Sequence, residues 1–173
     1  STTSTSCVAS AATRRSGSSC RHTIRTDSGM RWITPTVAGP GDEAGPDAFT
    51  AAEVAEAAAD LAAFLRFWRA DLVVSYESDG GYGHPDHVHA HHVSVHAAQL
   101  TGVPFAEVVS IPRDGSQPAS AGVEWFDFDE YYHELMPALT AHASQFTVDG
   151  RDAIHSGGQR EPLQLRTGVR RRA

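Results

Sequence analysis

Cysteine is scarce. Cys7 and Cys20 are the only two in 173 residues, and both sit in a Ser-rich stretch. They make neither a disulfide framework nor a C-x-x-C metal knuckle. No run of 18 apolar residues exists, so no membrane span is expected. No charged-then-apolar leader resembles a secretory signal, and a cytoplasmic location follows as the default expectation. Positive charge is not in excess: the formal net charge is −7, which argues against a nucleic-acid partner. No internal repeat of 20 to 50 residues is apparent. A starting methionine is missing too, since residue 1 is Ser; the chain reads as a processed product, a fragment or the result of a faulty gene model.

What is present suffices for one domain with a real core, since hydrophobic residues make up 40%. Residues 1–20 are rich in Ser and Thr and read as disordered or as a misread segment. Residues 21–169 hold the domain, and 170–173 form a basic tail. "HTIRTDSGM" (22–30) suggests a short strand running into a loop. The Pro- and Gly-rich stretch 34–49 reads as loop. Thr50 and Glu53 have the spacing of a capping box. Val54, Ala58, Leu61, Leu65 and Trp68 then recur at helical spacing as one apolar stripe. "ADLVVSY" (70–76) suits a buried strand. Pro85 suits the first turn of a second helix, which runs to about Gln99 with Gly102 as a stop. "FAEVVSIP" (105–112) is another strand. Residues 129–146 look helical, with Pro137 as a kink or break. The order strand, loop, helix, strand is that of an α/β protein with a mainly parallel sheet. The strands near 71–76 and 105–111 are expected to be parallel neighbours, with the second helix crossing between them.

Between these strands lies "SDGGYGHPDHVHAHHVSVH", with six of the chain's ten histidines. If the helix starts near His84, then His84, His87 and His91 share one face, while His89, His92 and His96 fall on another and read as surface residues. Gly80, Gly81 and Gly83 permit a sharp turn at the strand end, and Tyr82 projects from its middle. Imidazole binds zinc-like ions and titrates near neutrality. Asp86 is placed to fix a histidine tautomer. The stretch could therefore supply a metal ligand, a general acid and an orienting carboxylate. The role of His91 stays open.

"GGYGHPDH" after "DLVVSY" closely resembles the second signature of the PIG-L (LmbE-like) de-N-acetylases, a family that includes the mycothiol-pathway sugar deacetylase. "DSGM" (27–30) resembles the family's sugar-contacting loop, and "HASQFTVDG" and "SGGQREPLQLRTGV" resemble its C-terminal part. The resemblance covers residues 21–169. It implies a Rossmann-like three-layer domain, incomplete at its N-terminus, and a zinc-dependent removal of acetyl from an N-acetylglucosamine-type conjugate. It also implies roles: His87 as metal ligand, His84 as oxyanion stabiliser and proton donor, and Asp86 as orienting group. Tyr82 would lie over the substrate carbonyl, with Asp27 and Gly81 contacting the sugar.

The family's first signature, A-H-P-D-D, does not occur. "HP" is found only at His84-Pro85 and "DD" nowhere. Its His and second Asp would complete the metal site, and its first Asp would be the general base. A chain starting mid-domain or a misread upstream frame accounts for this better than a true pseudo-enzyme. The chain itself is then expected to be a truncated, inactive form. The competing classes are a non-catalytic sugar-binding remnant and a histidine-rich metal-binding module.

Overall fold

The computed structural model describes residues 25–42, 44–112, 116, 121–144, 146–155, 158 and 160–172. The disordered or misread segment expected at 1–20 lies outside the described residues.

Two short strands come first. Strand β1 (Met30–Trp32) pairs antiparallel with β2 (Ala38–Pro40). A 3-10 turn, Phe49–Ala51, precedes helix α1 (Val54–Trp68). The capping box does not form. Glu53 is the N-cap and makes no side-chain cap hydrogen bond. Thr50 lies inside the 3-10 turn and donates from its amide and its hydroxyl to the Ser28 hydroxyl, at 3.0 and 2.9 Å. A side chain with a tertiary partner is no longer available for the helix end.

Strand β3 (Val73–Tyr76) follows α1, then helix α2 (Pro85–Thr101), then strand β4 (Phe105–Val109). The strands β3 and β4 are parallel, in register from Val73 opposite Phe105 to Tyr76 opposite Val108. The strand–helix–strand unit is as expected. Pro85 opens α2, and Gly102 closes it in the left-handed conformation at φ 72°, where a residue without Cβ carries no steric penalty.

The core sits between the two helices and this strand pair. Ala58, Ala62 and Leu65 of α1 meet Val93, Ala97 and Ala98 of α2, with Val73 and Phe105 beneath them. Alanine on both helices permits close approach of their backbones. The Arg66 guanidinium reaches across to the Leu100 carbonyl at 2.7 Å, filling one of the free acceptors at the C-terminus of α2. Part of the expected stripe stays outside: Trp68 is half exposed.

The sheet itself corrects the expectation of mainly parallel pairing. Its order is β3-β4-β9-β5, with β5 at Val123–Asp127 and β9 at Arg166–Arg172. Strand β9 runs antiparallel to both β4 and β5, so one of the three pairings is parallel. Charge pairing rather than apolar alternation holds β9 in the sheet. "RTGVRRR" shows no apolar alternation, yet β9 is held by Glu107 of β4, which is wholly buried and bonded to Arg170 and Arg172. Residues 170–172, expected in a basic tail, are the end of this strand.

Helix α3 (Tyr132–Ala141) contains Pro137 and ends five residues before the expected 146, because Phe146 starts strand β6 (Phe146–Asp149). That strand forms a separate antiparallel sheet with β7 (Asp152–His155) and β8 (Arg160–Pro162). The described elements thus make a mixed α/β protein with three sheets and three α-helices. The three-layer Rossmann-like arrangement is not seen among them. No helix among the described residues is long and apolar enough to cross a membrane.

Candidate metal and acyl-transfer site

The turn after β3 is built by glycine. Gly80, Gly81 and Gly83 all have φ between 69° and 85°, a region closed to most side chains. At Gly81 a Cβ would also lie 2.6 Å from the Ser110 hydroxyl, and at Gly83 it would lie 2.6 Å from the Ala38 carbonyl. The turn is therefore clasped between the end of β4 and strand β2. The Ala38 amide donates to the Tyr82 carbonyl at 2.7 Å, which fixes the far side.

Helix α2 starts directly from this turn. His84 is its N-cap, and its Nδ1 accepts the Asp86 amide at 3.2 Å. An amide can only donate, so Nδ1 of His84 carries no proton, and the neutral ring holds its hydrogen on Nε2. His87 is poised the opposite way. Its Nδ1 lies 3.2 Å from the Gly80 carbonyl. A carbonyl can only accept, so Nδ1 is protonated and the Nε2 lone pair is the basic nitrogen. The two rings stack at 4.6 Å between centroids. Burial, followed by the neighbouring His84 charge, holds His87 below the usual imidazole range, against the opposing pull of the Gly80 carbonyl and of Asp86 and Asp27. The neutral form, the one that binds metals, is favoured.

Asp86 ties this helix to the loop at Asp27. Its Oδ2 accepts the Ser28 amide at 3.0 Å. Its Oδ1 is buried and has no hydrogen-bond partner among the described residues. Asp27 accepts the Gly29 amide at 2.7 Å and is exposed. One ligand atom from each of Asp27, His84 and Asp86 lies within 4.8 Å of the others. Tyr82 stands over the pair of histidines, with its ring 5.3 Å from His87 and 6.1 Å from His84, and stacks on Trp32 at 5.7 Å.

The structure thus gathers Asp27, Tyr82, His84, Asp86 and His87 into one place, with Gly81 in the adjoining turn. Of the remaining histidines, His92 is exposed. His89 departs from the expected surface position. Its Nε2 is buried without a hydrogen-bond partner among the described residues, and its ring meets Phe49 edge-on at 4.7 Å. His91 is structural in its contacts: it is buried and donates from Nδ1 to the Tyr76 carbonyl at 2.8 Å. Sequence reasoning missed Ser28, Trp32, Thr50, Tyr76 and Ser110. Ser28 lies in the Asp27 loop and Tyr76 just before the turn, but their contacts, like the places of Trp32, Thr50 and Ser110, are set by the fold and not by any spacing in the sequence.

No family model matches the chain. Individual relatives do. The chain is 46% identical to a Nocardioides protein over an alignment covering 72% of the chain and 55% of the relative. It is 41% identical to a Kineococcus radiotolerans protein, covering 57% and 25% respectively. It is 36% identical to an Acidothermus cellulolyticus protein, covering 61% and 46%. All three bear the name 1D-myo-inositol 2-acetamido-2-deoxy-alpha-D-glucopyranoside deacetylase. The chain spans between a quarter and just over half the length of these relatives, and its homologues are deacetylases by name.

Proposed function

We propose that this site belongs to a zinc-dependent deacetylase of the PIG-L (LmbE-like) kind, acting on an acetamido-sugar conjugate. The names of the relatives support the substrate class. The observation that carries the mechanism is the opposite tautomeric poise of His84 and His87.

The donor set fits a divalent ion. His87 offers a basic Nε2 while the Gly80 carbonyl holds its other nitrogen, a contact that fixes the tautomer and orientation of a ligating histidine. Asp27 and Asp86 offer carboxylate oxygens, that of Asp86 an Oδ1 with no hydrogen-bond partner among the described residues. The histidine that converges with them within 4.8 Å is His84, while His87 feels both carboxylates through their charge. Bound there, a zinc-class ion supplies an activated water and polarises the acetamide carbonyl. His84 is the poorer ligand. Using its Nε2 would displace the proton that the Asp86 contact places there.

The remaining roles fall to protein groups. The Nε2–H of His84 donates to the oxygen that gains negative charge as the carbonyl is attacked. Its Nδ1, capped by the Asp86 amide, keeps that donor in place. A second role for His84, protonating the departing amine, requires a proton on Nδ1 and the loss of the Asp86 contact. Tyr82 screens the carbonyl from water and orients it, and Asp27 takes sugar hydroxyls. Asp79 is committed, since its carboxylate accepts the Gly81 amide at 2.9 Å. With the A-H-P-D-D ligands absent from its sequence, this chain is expected to bind zinc weakly and to show no amidase activity.

Cobalt titration of the wild-type chain and two variants tests the division of roles. His87→Ala is expected to weaken binding, and His84→Ala to leave it near the wild-type value. Equal affinity in all three, or a loss confined to His84→Ala, overturns the assignment. In a form of the protein that turns over substrate, release of acetate from the acetamidoglucosyl inositol named for the relatives tests the substrate class; no release there overturns it.

A further inference from the structure

Glu107 poses a problem that the proposed chemistry leaves unanswered. It is fully buried in the middle of β4, and burying a carboxylate costs several kcal/mol unless partners compensate. Its Oε2 meets Arg170 Nε at 3.2 Å and Arg172 Nε at 2.8 Å. Its Oε1 has no hydrogen-bond partner among the described residues and lies 3.8 Å from His91 Nδ1.

Two routes lead from this carboxylate to His87. In the first, Arg170 also bridges to Glu77, with Nη2 to Oε2 at 3.8 Å. Glu77 opens the glycine turn: its carbonyl accepts the Gly80 amide at 2.9 Å, and its Oε1 accepts the Ser110 amide at 2.9 Å. Ser110 in turn closes on Gly81. The carbonyl of Gly80 is the group that holds His87 Nδ1. In the second route, His91 lies beside Glu107 and donates to the Tyr76 carbonyl. The ring of Tyr76 lies flat on that of His87 at 3.9 Å. Both supports of the His87 ring therefore end on one buried carboxylate.

We infer that Glu107 and Arg170 form a clamp by which the C-terminal strand β9 sets the glycine turn and orients His87, so that Arg170 is a positioning residue for the site. A purely structural ion pair would need only to join β4 to β9. The bridge from Arg170 to Glu77 does more, because it reaches out of the sheet into the turn that carries the Gly80 carbonyl. The inference rests on reading His87 as the metal ligand, but its geometry does not require a metal.

The test uses the full chain carrying Arg170→Leu, Arg170→Lys or Glu77→Ala. Far-UV circular dichroism establishes that each is folded. Nitrogen-15 NMR of the imidazoles reports the His87 tautomer, and cobalt titration reports its affinity. Arg170→Leu and Glu77→Ala are expected to replace the Nδ1–H tautomer of His87 by a mixture and to weaken cobalt binding about tenfold, the lower end of what losing the group that orients a ligand costs. Arg170→Lys should recover part of both. Wild-type tautomer in a folded Arg170→Leu chain overturns the clamp. If Arg170→Leu does not fold, Glu77→Ala decides alone, since Glu77 is at the turn and outside the core; a wild-type tautomer there overturns the clamp equally. Failure of the wild-type chain to bind cobalt removes the reading of His87 as ligand, while the tautomer result still judges the clamp.

Discussion

The ring of His87 lies parallel to that of Tyr76, with centroids 3.9 Å apart and an interplanar angle of 4°. The contact joins the last residue of β3 to the first turn of α2. It leaves the His87 ring little freedom to turn. Tyr76 remains partly exposed to solvent, and the partial desolvation of its ring raises the phenol above its ordinary range.

The division of labour between the two histidines predicts a split in effects. In a form of the protein that turns over substrate, His84→Ala should retain bound metal and lose about 10²–10³ in rate, the usual cost of one oxyanion donor. His84→Gln, which still presents an N–H, should recover part of that loss. His87→Ala should lose metal and rate together. Metal analysis beside initial rates checks this; a metal-free His84→Ala protein would reverse the two roles.

Gly81→Ala should destabilise the fold by about 1–2 kcal/mol from the left-handed backbone alone. The Ser110 hydroxyl at 2.6 Å from the new Cβ position adds a clash. Combining it with Ser110→Ala should relieve the clash and leave the backbone cost. Urea unfolding of the two single variants and the double variant separates these contributions. Additive losses would mean that the two residues do not press on each other.

Thr50→Ala distinguishes a helix cap from a loop tether. Loss of a cap would fray the first turn of α1. The structure instead gives both Thr50 donors to Ser28. The expected result is unchanged amide exchange at Val54–Ala57 and faster exchange at Ser28, with a stability loss of about 1 kcal/mol for the side-chain hydrogen bond. Hydrogen-exchange mass spectrometry or NMR reads both regions at once.

Stability should fall on the acid side of neutrality. Burial lowers the pKa of His89, against the pull of Asp86, and of His87 in the same way. A histidine with a lowered folded pKa adds no cost above the unfolded value of about 6.5. As pH drops below that, the unfolded chain takes up the proton first, and stability is lost until the folded pKa is passed. Melting temperatures measured from pH 8 down to 5 should show the drop, and His89→Gln should flatten it. A pH profile in His89→Gln identical to the wild type would show that the His89 ring is not held neutral by its surroundings.

The strand–helix–strand unit was legible because each of its signals is local. The β-branched run at Val73–Val74, Pro85 at the helix start and Gly102 at its end act through backbone preferences of a few residues. The site was legible for the same reason: Tyr82, His84, Asp86 and His87 fall within six consecutive positions at a strand end. Their contacts, though, came from elsewhere. Nothing local predicts that the Ser28 amide would occupy Asp86, or that Phe49 would cover His89.

By itself, the sequence determined which residue types stand at the turn and that the chain between the two strands is helical. The direction of the rest of the sheet was decided only by tertiary structure. Strand β9 carries arginines where apolar residues were sought, and its place beside β4 depends on a buried carboxylate that is far from it in the chain. The tautomers of His84 and His87 were decided in the same way. Each is set by whether a backbone N–H or a backbone C=O faces its Nδ1, and that choice follows from the path of the folded backbone.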